Sequence, residues 1–288
     1  MSVSLIFPVK NEGDNVKKTL DSLFSKKTNT HFEVIVVDDG STDDGCFFLH
    51  SYSHRNSIQL ITTDGVGAAN ARNTGAYAAE GEFLVFCDAH LQFEDWWIDH
   101  LLDPILSGLT DAVSPAIGSI GNDHFIGYGQ SLKPNFRIKW NAMPQSLNET
   151  AVLPGACIVI TKKVFEDIGG FEKRFKTWGH EDVEISIKLW LFGYRCHVLP
   201  SVKILHLFRK TLPYNVGYQD IYYNLMWIAY SHFNARRILT CRKLIHDGKA
   251  GEIEKRVLDN GALIQRKDYF SRRKREDNWY FNKFQIDF

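Results

Sequence analysis

Glu82-Phe83-Leu84-Val85-Phe86-Cys87-Asp88-Ala89-His90 is the stretch on which the fold turns. Its first part follows Gly81 as an uninterrupted apolar run, the pattern of a central strand buried on both faces. It ends in a carboxylate and an imidazole. Side chains alternate along a strand with period two, so Asp88 and His90 point the same way where the chain leaves the sheet. Ligands of open α/β sheets bind beyond the carboxyl ends of the strands, where this pair stands. One oxygen and one nitrogen ligand suit a divalent cation such as Mn²⁺ (or Mg²⁺), which in turn suits a diphosphate. The same letters also suit an Asp capping the next helix beside a surface His, and a short motif decides nothing by itself.

Working outward, Ser2-Val3-Ser4-Leu5-Ile6-Phe7-Pro8 reads as a buried strand whose ladder Pro8 stops. Val16, Leu20, Leu23 and Phe24 fall at helical spacing, and Phe32 to Val37 form a second apolar strand, so the segment is β-α-β with parallel pairing. The turn Asp38-Asp39-Gly40-Ser41 puts carboxylates at another strand end. Asp39 there suits ribose hydroxyls or a base N–H, or equally the chemistry of the turn itself. Ile58 to Thr62 is a third strand, followed by a helix of small residues, Ala68 to Ala76, interrupted by Arg72. That guanidinium could reach a base carbonyl or a phosphate, although a surface ion pair is the commoner fate of one Arg.

Beyond the central strand, Trp96, Trp97, Ile98, Leu101, Leu102 and Ile105 make an apolar helix, and Ala112 to Ile120 a strand. The less regular stretch from Gly121 to Asn148 has the character of an insert that varies with substrate. Pro154 to Ile160 returns to the sheet, with Gly155 permitting close approach of backbone to a ligand. Trp178-Gly179-His180-Glu181-Asp182 leads into a helix carrying Val183, Ile187, Trp190 and Leu191, so Glu181 and Asp182 sit at its N-terminus. Carboxylates there also satisfy the helix dipole. Cys196 to Leu199 and Ile204 to Lys210 read as closing strands. From Tyr218 the pattern is helical and aromatic, and the run Arg272-Arg273-Lys274-Arg275 reads as a solvated charged face.

The chain has 288 residues, 44% hydrophobic and 24% charged, enough for one full core with an appendage. Its formal net charge is +0, which argues against a generic nucleic-acid partner. From Ser201 onward 17 Lys and Arg face 9 Asp and Glu, against 17 and 25 before it, so the last third is basic. No apolar run approaches the roughly 20 residues of a membrane span, and no leader precedes the first strand, so a soluble protein is expected. Cys46, Cys87, Cys157, Cys196 and Cys241 are odd in number and lack CxxC spacing. They read as free, buried thiols in a reducing, cytoplasmic setting.

The residues resemble nucleotide-sugar glycosyltransferases of the GT-A fold, whose Rossmann-like, mostly parallel central sheet is flanked by helices. Phe7-Pro8-Val9-Lys10-Asn11-Glu12 with Val37-Asp38-Asp39-Gly40-Ser41 resembles the large inverting family 2. Three later patches resemble the polypeptide N-acetylgalactosaminyltransferases. These are Phe86 to His90, Trp178-Gly179-His180-Glu181-Asp182-Val183-Glu184, and His206-Leu207-Phe208-Arg209-Lys210-Thr211-Leu212-Pro213-Tyr214. The resemblance covers residues 2–215, which divides the chain into a GT-A domain at 1–215 and a helical, basic and aromatic extension at 216–288.

The resemblance implies that Asp88, His90 and His206 hold Mn²⁺, that Asp39 and Arg72 contact the uridine with Pro8 near the base, and that Arg209 and Tyr214 meet the diphosphate from a mobile loop. Trp178 would cover the donor site. The polypeptide transferases carry an amide where this chain has Asp182, whereas family 2 enzymes place an aspartate general base there. Asp182 beside Glu181 therefore points to inversion, with a retaining, polypeptide-transferase-like enzyme as the alternative. The implied reaction moves a sugar from a UDP-sugar to a hydroxyl or thiol of a peptide, glycan or small natural product. Two other readings are weaker. A sugar-1-phosphate nucleotidyltransferase would need a Gly-rich phosphate loop after the first strand, and a dead nucleotide-sugar binder need not keep Asp88, His90, His206 and Asp182.

Overall fold

The computed structural model describes residues 2–246 and 248–288, the side chain of Asp123 excepted. Strand β1 (Ser2–Val9) buries every residue from Val3 to Phe7. Helix α1 (Asn15–Phe24) then sets its buried face of Val16, Thr19, Leu20 and Leu23 against the sheet, and the chain returns as β2 (His31–Asp38). β1 and β2 are parallel in register from Ser2 opposite His31 to Val9 opposite Asp38. β3 (Ile58–Thr62) lies outside β2 as an edge strand. Helix α2 (Ala68–Ala78) leads into β4 (Phe83–Cys87), in which all positions are buried. The continuous apolar run is thus explained: β4 has β1 on one side and covered faces above and below.

The chain continues through β5 (Leu91–Gln92), α3 (Trp97–Leu106), β6 (Ala112–Ser119), β7 (Asn122–Gly127), the hairpin pair β8 (Gln130–Leu132) and β9 (Ile138–Trp140), and β10 (Asn148–Glu149). It then forms β11 (Cys157–Thr161), α4 (Lys162–Asp167), α5 (Glu181–Phe192) and β12 (Cys196–His206). Among the described residues the helices that follow are α6 (Tyr218–His232), α7 (Ala235–Lys243), α8 (Ala250–Asp259), α9 (Ala262–Arg272) and α10 (Asp277–Lys283).

The spatial order of the main sheet is β10-β12-β6-β11-β4-β1-β2-β3. β11 runs antiparallel between β4 and β6, and β10 antiparallel to β12, while the other six strands of this path share one direction. Strand alternation gives the sheet two apolar faces. Ile6, Phe86 and Ile158 belong to one buried cluster with residues of α2, α5 and the helices after Tyr218, Gly75 of α2 lying directly over Ile6, and Leu5, Val85 and Val159 belong to a second cluster with α1 and α3. The helices from α6 to α10 therefore share one core with the sheet.

Three local expectations change. Pro8 does not stop the ladder: pairing to β2 continues to Val9, and only the β4 side ends, at Ile6. A proline's missing N–H is tolerated where a strand is paired on one side only. The two closing strands are one, β12, with its register shifted between Leu199 and Lys203, and it ends at His206 instead of Lys210. The basic run is not simply solvated. Arg272 faces Asp167 and Asp268, Arg273 pairs with Glu276 and lies over the Phe270 ring, and Arg275 stacks 4.1 Å from the Trp279 ring centre.

Candidate active site

Asp88 follows β4 directly, His90 comes two residues later, and His206 ends β12. The short strand β5 explains how these meet: Leu91 pairs with His206, and Leu207 N–H donates to the His90 carbonyl at 3.1 Å. One ligand atom from each of Asp88, His90 and His206 falls within 4.8 Å of the others. His90 Nε2 is 3.1 Å from His206 Nε2, and His206 Nε2 is 3.3 Å from Asp88 Oδ2. One hard oxygen and two imidazole nitrogens converging on one point fit a divalent cation of the Mn²⁺ class. Burial pushes the Asp88 carboxyl up, but the hydrogen bond from His206 and the charge of Arg72 outweigh it and hold the group well below the usual range.

These three side chains line a cavity of about 360 Å³, and the same cavity is lined by Pro8, Asp39, Arg72, Trp178, Arg209 and Tyr214. Every residue assigned to the nucleotide or the metal from sequence thus borders one space. Their local partners differ from simple expectation. Asp39, 4% exposed, accepts from Thr63 Oγ1 at 2.7 Å and from the N–H groups of Val66 and Gly67 at 2.6 and 2.9 Å. Its carboxylate thereby shapes the loop that begins α2. Arg72, buried at the first turns of α2, bridges Asp88 Oδ1 at 2.9 Å and Glu181 Oε1 at 3.2 Å. Burial would lower its basicity, yet Glu181 and Asp88 more than compensate.

The loop after β12 folds back over this cavity. Arg209 forms an ion pair with Glu12, and Asn11 Nδ2 donates to the Pro213 carbonyl at 3.3 Å. Tyr214 borders the cavity, and burial raises its phenol well above the ordinary value. Sequence reasoning missed Glu12, which lies 8% exposed just past β1, with Oε2 3.2 Å from His90 Nδ1. Burial opposes its ionisation, but His90 and Arg209 together lower its pKa. The available signal was a glutamate immediately beyond an apolar strand, on the edge where ligands gather. Lys10 was also missed; its Nζ donates to the Asp39 carbonyl at 2.7 Å.

A second cavity of about 770 Å³ adjoins the first and shares Arg72, Asp88, Trp178, His206 and Phe208 with it. Its further walls include Phe136, Trp140, Tyr218 and Tyr222, and Glu181 and Asp182 border it. Asp182 is the second residue of α5, its Oδ1 accepting from Val183 N–H at 2.8 Å. A Cβ on Gly155 would stand 3.3 Å from that of Asp182, so the absent side chain is what leaves room for the carboxylate. Burial, and then the charge of Glu181, push Asp182 up to about 7, while Val183 N–H and Arg72 act in the other direction. A carboxylate poised there can take up or release a proton near neutrality.

A two-cavity site at the carboxyl edge of a twisted α/β sheet, with an Asp-His-His cluster between the cavities, is the architecture of a GT-A glycosyltransferase. Residues 4–169 match the family model "Glycosyl transferase family 2", more than half of the chain, and the chain belongs to that family. Residues 147–210 match a second model, "N-terminal domain of galactosyltransferase". The chain is 34% identical over 232 residues to polypeptide N-acetylgalactosaminyltransferase 8 of Drosophila melanogaster, covering 72% of this chain and 38% of that protein. It is 29% identical over 317 residues to polypeptide N-acetylgalactosaminyltransferase 3 of Mus musculus, covering 98% of this chain and 48% of that protein. The chain thus spans less than half the length of either relative. The crystal structure of GalNAc-T7 with UDP, GalNAc and Mn²⁺ superposes with a TM-score of 0.81 over 99% of this chain and 57% of that one, at 20% identity, a likeness of fold.

Proposed function

We propose that this chain transfers a sugar from a UDP-sugar to a hydroxyl or thiol of an acceptor seated in the second cavity, with a divalent cation, Mn²⁺ or Mg²⁺, held by Asp88, His90 and His206. The observation that carries the reading is the convergence of those three ligand atoms within 4.8 Å on the wall of the same cavity that Pro8, Asp39, Arg72, Trp178, Arg209 and Tyr214 line. When bound there, a cation neutralises charge growing on the departing diphosphate. Arg209 and Tyr214 belong to the loop that would meet the diphosphate, and exchange of Arg209 from Glu12 to a phosphate would tie that loop, already folded over the cavity, to the donor.

Asp182 is the general base. It takes the acceptor proton as the acceptor oxygen or sulfur bonds to the anomeric carbon and the bond from that carbon to the diphosphate oxygen breaks, which inverts the centre. Its carboxyl, raised to about 7, suits that duty. The acceptor class stays broad: peptide, glycan or small molecule. A second reading, retention with transfer to a polypeptide, draws on the named relatives and the TM-score of 0.81 to GalNAc-T7. A cytoplasmic setting is part of the proposal, supported by five free, buried cysteines. A panel of UDP-sugars hydrolysed with Mn²⁺ and with EDTA tests the donor assignment, and the proton coupling at the anomeric carbon of the product distinguishes inversion from retention. Hydrolysis of no UDP-sugar in the presence of Mn²⁺ would reject the donor assignment.

A further inference from the structure

The segment from Lys176 to Gly179, which carries Trp178, has no regular secondary structure and adopts a demanding backbone. Thr177 has φ 24°, Gly179 φ 105° and His180 φ 69°. Such conformations persist only where the surroundings determine them. The surroundings here come from α6. Asn224, fully buried, accepts from Lys176 N–H at 2.8 Å and donates through Nδ2 to the carbonyls of Lys176 at 3.0 Å, Gly179 at 2.9 Å and, more weakly, Trp178 at 3.4 Å. One turn earlier, Asp220 Oδ2 accepts from Thr177 Oγ1 at 2.6 Å. A single amide whose donors and acceptor all serve one loop is a template for that loop.

What the loop touches gives the template its consequence. Trp178 borders both cavities and is 38% exposed. Ala68 N–H, at the start of α2, donates to the Thr177 carbonyl at 2.9 Å. Gly179 N–H donates to Glu181 Oε2 at 2.9 Å, Glu181 Oε1 holds Arg72, and Arg72 holds Asp88. The hydrogen-bonded path from Asn224 therefore ends on a carboxylate of the metal cluster.

We propose that Asn224, assisted by Asp220, is a positioning residue for the donor site: it sets the 176–179 loop so that Trp178 covers the cavity and Glu181 keeps Arg72 on Asp88. Helix α6 is then a working part of the active site, although the family model ends at residue 169 and the second at 210. The inference rests on the donor reading above, and its test separates the two.

The variants are Asn224→Ala, Asp220→Asn and Thr177→Val. Each is measured for UDP affinity with Mn²⁺ by calorimetry, for acrylamide quenching of Trp178 (isolated as the difference from a Trp178→Phe background), and for thermal melting. Asn224→Ala should weaken UDP binding about tenfold and expose Trp178 to quencher, because it strips the Lys176 N–H and the Lys176 and Gly179 carbonyls of their shared partner. The two half-exposed-site variants should move both readouts the same way by a few fold, and they decide the matter if Asn224→Ala does not fold. A shift in melting with UDP affinity and Trp178 quenching unchanged would mean a purely structural role and overturn the proposal. If the wild type binds no UDP, the donor reading fails while the quenching comparison still judges the loop.

Discussion

His90 and His206 face each other Nε2 to Nε2 at 3.1 Å, a separation that is favourable only with a proton or a cation between the two nitrogens. His90 Nδ1 lies 3.2 Å from Glu12 Oε2, which keeps the proton on Nδ1 and turns the Nε2 lone pair toward His206. A carboxylate behind an imidazole in this way orients the ring and strengthens its lone pair.

Replacing Glu12 by Ala should therefore weaken Mn²⁺ binding by about 10- to 100-fold without touching a ligand atom. Arg209→Ala should leave Mn²⁺ affinity within a few fold while lowering UDP affinity, since Arg209 pairs with both carboxylate oxygens of Glu12 and not with Asp88, His90 or His206. Calorimetric titration with Mn²⁺, first alone and then with UDP, separates the two. Equal Mn²⁺ affinity in Glu12→Ala and wild type would remove Glu12 from the metal site.

With Asp182 in the proposed role of general base, the transfer rate should rise with pH through about 7, the value to which burial and the neighbouring Glu181 raise its carboxyl. Asp182→Asn should abolish the rise and slow transfer by about 10²-fold or more while UDP affinity holds. The same raised group has a stability signature. Its contribution is full below the ordinary carboxylate range and is lost as pH rises through about 7, so Asp182→Asn should melt higher than wild type at pH 8 and no higher at pH 3.

Gly155→Ala tests the fit around the proposed base. The added methyl would press on Asp182 at 3.3 Å, tighter than ordinary contact, from the strand-entry loop on which Arg72 also leans through the Gly155 carbonyl. A displacement of that size should lower kcat by about tenfold with little change in melting. An unchanged kcat would show that Asp182 has freedom to move.

Part of the site could be read from the chain because it lies just beyond the carboxyl ends of strands, where ligands gather. Asp88 directly follows β4, and His90 stands in the bend between β4 and β5, so their meeting is set by that bend and not by strand alternation. His206 was available only through likeness, since nothing local says that a histidine ending a strand 116 residues beyond His90 will meet it. Glu12 and Asn224 were hidden for a different reason. Each acts through another group, Glu12 on a ring nitrogen and Asn224 on backbone amides, and neither role has a sequence period. The basic run at Arg272 misled because charge alone does not reveal aromatic partners such as Phe270 and Trp279.

Helix α5 also carries a fully buried ion pair, Glu184 with Lys188 at 3.1 Å, and His232 of α6 adds a contact to Glu184 at 2.9 Å. Lys188→Met should destabilise the fold by about 3–5 kcal/mol, because it leaves Glu184 buried with a weaker partner. Denaturant unfolding at pH 7 measures this. A loss under 1 kcal/mol, on the order of a surface pair, would contradict the burial argument.

The central claim is that Asp88, His90 and His206 hold one divalent cation beneath the diphosphate of a UDP-sugar. Calorimetry of UDP binding by wild type and His206→Ala, each with Mn²⁺ and with EDTA, tests it most directly. Wild type should bind UDP at least about tenfold more tightly with Mn²⁺ than with EDTA, and His206→Ala should lose that difference. An undiminished Mn²⁺ effect in His206→Ala would contradict the three-ligand site.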